Sequence, residues 1–131
     1  MGVRELRVCV TAVDYDVALR FYRDVLGLTE VASFSGRGRV TILEAGRATL
    51  EPLEPEHAEF VDEVEVGKQV AGHVRLAFQV DDAREATERL AAAGATVIAG
   101  PTETPWRSLN ARLEGPATLQ LTLFEELERP G

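Results

Sequence analysis

The feature that most constrains this chain is a repeat. The stretch VDYDVALRFYRDVLGLTEV, Val13 to Val31, writes an Asp-started amphipathic helix closed by glycine and followed by a strand; VDDAREATERLAAAGATVI, Val80 to Ile98, writes the same plan again. In the first copy Asp14 is placed as N-cap. Ala18, Phe21, Tyr22, Val25 and Leu26 then fall at helical spacing, as the core face, and Gly27 takes the C-terminal position. In the second copy the spacing predicts a helix from about Asp82 to Ala93, with Gly94 behind it.

Strands surround both helices. ELRVCVTA, residues 5–12, alternates, with Leu6, Val8 and Val10 on one face and Arg7, Cys9 and Thr11 on the other. Further strands are predicted near 29–34, 38–45 and 47–53, divided by the glycine-containing turns SGRGR and EAGRA. After the acidic connector EPEHAEFVDEVEVGKQVAG the order restarts: HVRLAFQV, the second helix, ATVIAG, and strands near 107–114 and 118–125. The chain therefore reads as α+β, with two tandem βαβββ modules: module one at about 4–56, a connector at about 57–71, and module two at about 72–126. One such unit cannot cover both faces of its own curved sheet. Two units packed edge to edge, within one chain or swapped between chains, would form a curved mixed sheet around a shared cavity, and that cavity is the expected seat of function.

Composition narrows the partners. A length of 131 residues, with 45% hydrophobic and 27% charged residues, suits one globular domain. The formal charge of -8 argues against nucleic acid or an anionic membrane as partner, because the basic residues are scattered and outnumbered. No segment approaches the roughly 18 apolar residues of a membrane span, and the N-terminus lacks a cleavable leader pattern, so the expected location is cytoplasmic. Cys9 is the single cysteine, which excludes an internal disulfide and suits a small apolar core residue.

The order and spacing of Phe21-Tyr22 with Leu26-Gly27, of LEPLEP, of VRLAFQVDDAREATERLAAAGATVIAGP and of TPWRSLNARLEGPATLQLTLFEE resemble the vicinal oxygen chelate superfamily over nearly the whole chain. That group includes glyoxalase I, extradiol dioxygenases, epimerases and bleomycin-resistance proteins. The resemblance implies the glyoxalase/bleomycin resistance fold and a homodimer. Its metal enzymes hold one divalent ion with a side chain from the first and last strand of each module, and those positions here are Arg7, Glu51, Arg75 and Thr122. Only Glu51 keeps a metal-binding residue type. A guanidinium stays protonated, offers no lone pair and repels a cation, so no metal and no cofactor are expected. The family's usual last turn is replaced by GPATL. A slipped register that brings His73, Cys9 and Glu51 to one ion is the alternative.

Glu51 with Arg7 and Arg75 is the sharpest constellation. The guanidiniums suit an anionic or carbonyl-bearing ligand that Glu51 orients or deprotonates; the competing possibility is that the three simply neutralise one another. Trp106 follows a proline near the expected cavity mouth, where Phe34, Phe60 and Phe78 could extend an aromatic wall, although Phe78 suits the core better than ligand contact. Tyr15 is expected on the surface, as are the connector with His57 and the acidic tail. The ligand-binding set is thus Arg7, Cys9, Glu51, His73, Arg75, Trp106 and Thr122, with Glu51 catalytic only if the protein is an enzyme. The resemblance implies a metal-independent binding protein that sequesters an aromatic or bulky natural product, as antibiotic-resistance members do. The alternatives are a glyoxalase-like lyase, isomerase or dioxygenase, metal-free with Glu51 as base or with a noncanonical metal site, and a domain whose cavity is filled by its own side chains.

Overall fold

The computed structural model describes residues 2–25, 28–115 and 119–128, without the side chains of Phe21 and Val25. The core assignments of Phe21, Val25 and Leu26, the capping role of Gly27 and most of the GPATL turn lie outside the described residues. Eight strands form one sheet in the order β2-β3-β4-β1-β5-β8-β7-β6. They are β1 (Val3–Thr11), β2 (Thr29–Gly36), β3 (Gly38–Ala45), β4 (Ala48–Leu53), β5 (Val74–Val80), β6 (Thr96–Glu103), β7 (Ser108–Glu114) and β8 (Gln120–Glu126). Within each half the first strand pairs in parallel with the last, β1 with β4 and β5 with β8. The halves meet through antiparallel β1 and β5, so both modules join within one chain. The strand alternation in the sequence is the cause: each of the two central strands has a neighbour on both sides and side chains used on both faces.

Helix α1 (Tyr15–Leu19) starts on Asp14, whose carboxylate accepts from the amide of Val17, and continues as a π-helical stretch, Arg20–Val25. The sequence pattern suggested a single α-helix here; the wider turns after Leu19 are the difference. Tyr15 is a correction. It is 3% exposed, its hydroxyl bonds Thr41 of β3, and the Arg39 guanidinium lies 4.5 Å above its ring, because the first turn of α1 faces the sheet. The second repeat helix, α3 (Ala83–Ala92), is capped by Asp82 and packs Ala83, Ala86 and Leu90 on Phe78, Ala111, Leu113 and Leu123, so Phe78 belongs to the core on this face of the sheet.

A further helix, α2 (Pro55–Glu65), occupies the segment expected to be a solvated connector. Pro55 takes the first-turn position that proline favours, and the helix lies on the opposite face of the sheet from α3, against β3, β6 and β7. Its residues Ala58, Val61, Asp62 and Glu65 recur at i, i+3, i+4 and i+7, which is one helical face, but half of that face is acidic. Hydrophobic periodicity therefore does not reveal it. Among the described residues no helix is long and apolar enough to cross a membrane.

Gly38 opens β3 at φ +76, with the start of α2 directly above it. A Cβ there would stand 2.4 Å from the backbone nitrogen of His57. Gly38→Ala is expected to destabilise the protein by about 2 kcal/mol or more, from the left-handed backbone and the displaced helix together. Urea unfolding of the two proteins checks this; a loss under about 0.5 kcal/mol, ordinary for a surface site, contradicts the docking of α2 on this turn.

Candidate functional site

Register decides which side chains meet. Cys9 lies opposite Glu51 on one side and Arg75 on the other, and Ala77 lies opposite both Arg7 and Thr122. Facing residues share a side of a sheet, so Arg7, Cys9, Glu51, Arg75 and Thr122 all sit on the face that α2 covers. Across β7 the same face carries Asn110 and Arg112, which are opposite Phe124 and Thr122.

Arg7 and Glu51 form one half of the site. The Arg7 guanidinium is 3.6 Å from Glu51 Oε2, bonds Glu5 Oε1 at 2.7 Å and lies 4.6 Å over the Phe124 ring. Thr49 donates to Glu51 at 3.3 Å. Glu51 is 8% exposed, and burial raises its pKa above the ordinary 4.5 even though Arg7 and Arg75 pull the other way. Burial likewise pushes the Cys9 thiol up to about 11, which leaves it protonated and unreactive at neutral pH.

Of the other half, the sequence singled out Arg75 and Thr122 but not Arg112, Asn110, Asp62 or Glu65. Arg112, at 0% exposure, donates to Asp62 Oδ1 at 2.8 Å, to Glu65 Oε1 at 3.1 Å and to Gln120 Oε1 at 2.9 Å. Glu65 also accepts from Thr122 at 2.9 Å and from Asn110 at 2.9 Å. The buried Arg75 donates to Thr122 Oγ1 at 2.8 Å. Burial works against the Arg75 charge, but the neighbouring Cys9, Glu65, Glu51 and Asp62 outweigh it and hold the pKa above its ordinary value. Asp62 Oδ2 accepts the amides of Val70 and Ala71, both at 2.8 Å, which fixes the chain leaving α2. The signal for Asn110, Arg112 and Gln120 is present in the sequence: they alternate with Leu109, Ala111, Leu113 and Leu121 on strands whose other face is apolar.

The four positions that the family resemblance assigns to a metal do not suit one. Arg7 pairs with Glu51 and Arg75 bonds Thr122, so two cations and a neutral hydroxyl surround a single carboxylate. Among the described residues no three of His, Cys, Asp or Glu gather to hold an ion, and the slipped register with His73, Cys9 and Glu51 does not occur.

A cleft of about 310 Å³ runs between α2 and the ends of β1 and β5, lined by Thr11, Pro55, Ala58, Gln69 and His73 among others. Its inner end narrows to about 10 Å³ between Cys9, Leu53, Val61 and Arg75, room for about one water. His73 is exposed at the mouth. Trp106 stands elsewhere: it is 45% exposed and its ring lies 6.2 Å from Phe60 on α2, with His57 6.0 Å beyond. Phe34 is exposed on the edge strand β2.

Two measurements test these energetics. Arg112→Met leaves Asp62 and Glu65 buried without their partner and is expected to cost about 3–5 kcal/mol in guanidinium unfolding, while adding Asp62→Leu and Glu65→Leu recovers only part of it, because the amides of Val70 and Ala71 and the Asn110 side chain then lose their acceptors. For Glu51 the folded pKa lies above the unfolded one, so the folded state binds more protons across that window. Its contribution to stability falls as pH rises from 4.5 through the folded value. Glu51→Gln is therefore expected to gain stability relative to wild type between pH 4.5 and 7, read from urea midpoints; a difference independent of pH contradicts the raised pKa.

The solved structures most useful for comparison share the architecture. A hypothetical protein from Bacillus halodurans C-125 is 19% identical, covers 99% of this chain and 97% of its own, and superposes with a TM-score of 0.66. Methylmalonyl-CoA epimerase from Mycobacterium tuberculosis is 20% identical over 97% of this chain and 89% of its own, with a TM-score of 0.65. A glyoxalase/bleomycin resistance protein/dioxygenase superfamily member from Vibrio splendidus 12B01 is 14% identical over 95% of this chain and 100% of its own, with a TM-score of 0.70. At these identities the likeness concerns fold alone. No curated protein matches the chain. The sequence model of one family matches residues 6–122, and with the eight-stranded sheet this shows that the chain belongs to the Glyoxalase/Bleomycin resistance protein/Dioxygenase superfamily.

Proposed function

We propose that this protein binds a small organic acid without a metal and releases it unchanged, as a sequestering member of its superfamily. The observation that carries this is the buried guanidinium of Arg75, on the covered face of the sheet at the inner end of an open cleft. The Arg75 guanidinium, oriented by the Thr122 hydroxyl, suits a carboxylate and offers nothing to a cation. The cleft volume falls at the lower end of the range for drug-sized ligands, so a natural product with an acidic group suits it. Glu51 does not line the cleft, which favours binding over proton transfer by that residue.

A second possibility, a domain whose cavity serves only its own packing, is favoured by the saturation of Arg112 with internal partners. Thermal unfolding and calorimetry with aliphatic and aromatic carboxylic acids separate the two. At least one acid is expected to stabilise wild type, by about 2.7 kcal/mol at a hundredfold excess over its Kd, and Arg75→Met to lose that binding. Mass spectrometry should return the acid unchanged. Absence of stabilisation across the set supports the self-filled cavity, and a product mass that disappears with Glu51→Gln establishes an enzyme instead.

A further inference from the structure

We propose that Arg112, Asn110 and Thr122, with Arg75 behind Thr122, form a socket for a short dicarboxylate, and that α2 fills this socket with its own Asp62 and Glu65 when no ligand is bound. This rests on the organic-acid function proposed above and names the ligand class and the segment that must move.

The donors come from the sheet and the acceptors from the helix. Glu65 Oε1 receives Arg112 Nε at 3.2 Å, Arg112 Nη2 at 3.1 Å and Thr122 Oγ1 at 2.9 Å, and Oε2 receives Asn110 Nδ2 at 2.9 Å. Every one of these donors stands on β7 or β8. Asn110 is aimed in turn by Ser108, whose hydroxyl donates to Asn110 Oδ1 at 2.6 Å and meets Thr104 at 2.9 Å. The arrangement is a forked guanidinium with oriented neutral donors, the geometry that recognises a carboxylate on any molecule. The remaining guanidinium nitrogen takes Asp62 at 2.8 Å, so one arginine holds two carboxylates that project from adjacent turns of one helix.

Helix α2 is held unlike α3. The inward face of α3 is Ala83, Ala86 and Leu90 in an apolar cluster, whereas that of α2 is Ala58, Val61, Asp62 and Glu65. Buried ion pairs stabilise no better than apolar residues of the same volume, so fixing a helix permanently does not call for this face. Exchange with a ligand does: a dicarboxylate that replaces Asp62 and Glu65 leaves no guanidinium unpaired, and the two side chains pass into water. The segment can pivot. Proline begins α2, and from Val66 to His73 the chain has no regular structure, with Gly67 at φ +89. The ties that open with this movement are the exposed Arg37–Glu63 ion pair, the contact of Phe60 with Trp106, the packing of Ala58 on Cys9, Val40 and Leu53, and the bonds that hold Val70 and Ala71 to Asp62 and Gln120. With α2 in place, Arg112 and Asn110 line neither the cleft nor the space of about 10 Å³ at its inner end, so an acid that pairs with Arg112 must displace the helix, whereas Arg75 borders the cleft's inner end without that movement.

The experiment is amide hydrogen exchange on the wild-type chain with succinate, with glutarate and with propionate as the monocarboxylate, alongside calorimetric titration. Succinate or glutarate is expected to bind and to speed exchange of the α2 amides by about tenfold or more while β7 and β8 keep their protection. Asp62→Asn with Glu65→Gln weakens the internal competitor and is expected to tighten dicarboxylate binding about tenfold or more. Should the variant fail to fold, the wild-type exchange pattern decides alone. A dicarboxylate that binds while α2 stays as protected as before, or becomes more so, overturns the displacement and leaves organic-acid binding in the cleft standing. Binding of monocarboxylates alone overturns the dicarboxylate socket, and failure of every acid with both proteins overturns socket and function together.

Discussion

Arg112 is the charge around which the molecule closes. Its guanidinium is wholly buried on β7 and meets Asp62 and Glu65, which arrive from the segment between the two modules. Removing a guanidinium from water costs far more than any one hydrogen bond returns, and only a full set of partners makes the burial tolerable. The partners here are two carboxylates and the side-chain oxygens of Gln120 and Thr122. Asp62 in turn fixes the amides of Val70 and Ala71, so the charge also sets the path by which the chain returns to β5. Remove it, and α2 has little reason to lie where it does.

The two halves of the covered face solve the same electrostatic problem differently. On the module-one side, Arg7 and Glu51 are loosely paired at 3.6 Å, and Arg7 also turns toward Glu5 and the Phe124 ring. On the module-two side, the contacts are short, numerous and buried. Cys9 stands between Glu51 and Arg75, and Val40, Leu53 and Ala58 pack against it as an apolar patch toward β3. The asymmetry follows from α2, which leans on β3 through small residues and on β7 through charges.

Much of the fold was legible because it is written twice. The Asp14 and Asp82 caps, the following glycines and the period-two strands are local signals, and each half repeats them. Arg7, Cys9, Glu51, Arg75 and Thr122 could be placed together because strand alternation and a repeated topology carry positions across the sheet. Three things were hidden. Helix α2 shows an acidic face where periodicity looks for apolar residues. Tyr15 stands at the first turn of its helix, where exposure and burial depend on the approach of β3 rather than on spacing. Trp106 has a loop position that the sequence gives and a neighbour, Phe60, that only the path of α2 supplies. In each case the missing information was a tertiary contact made by the connecting segment.

That segment has a consequence for how such proteins diversify. The sheet is assembled from two similar halves, but the helix that covers it belongs to neither, and it is tied to the sheet by a handful of side chains. Lengthening or exchanging a surface connection costs little in chain entropy, since the closure penalty grows only with the logarithm of length. A lineage can therefore reshape the volume over the arginines by rewriting one stretch between the duplicated units, while the strands that set register and stability stay untouched. The repeated halves set the platform; the join between them is where its chemistry is free to vary.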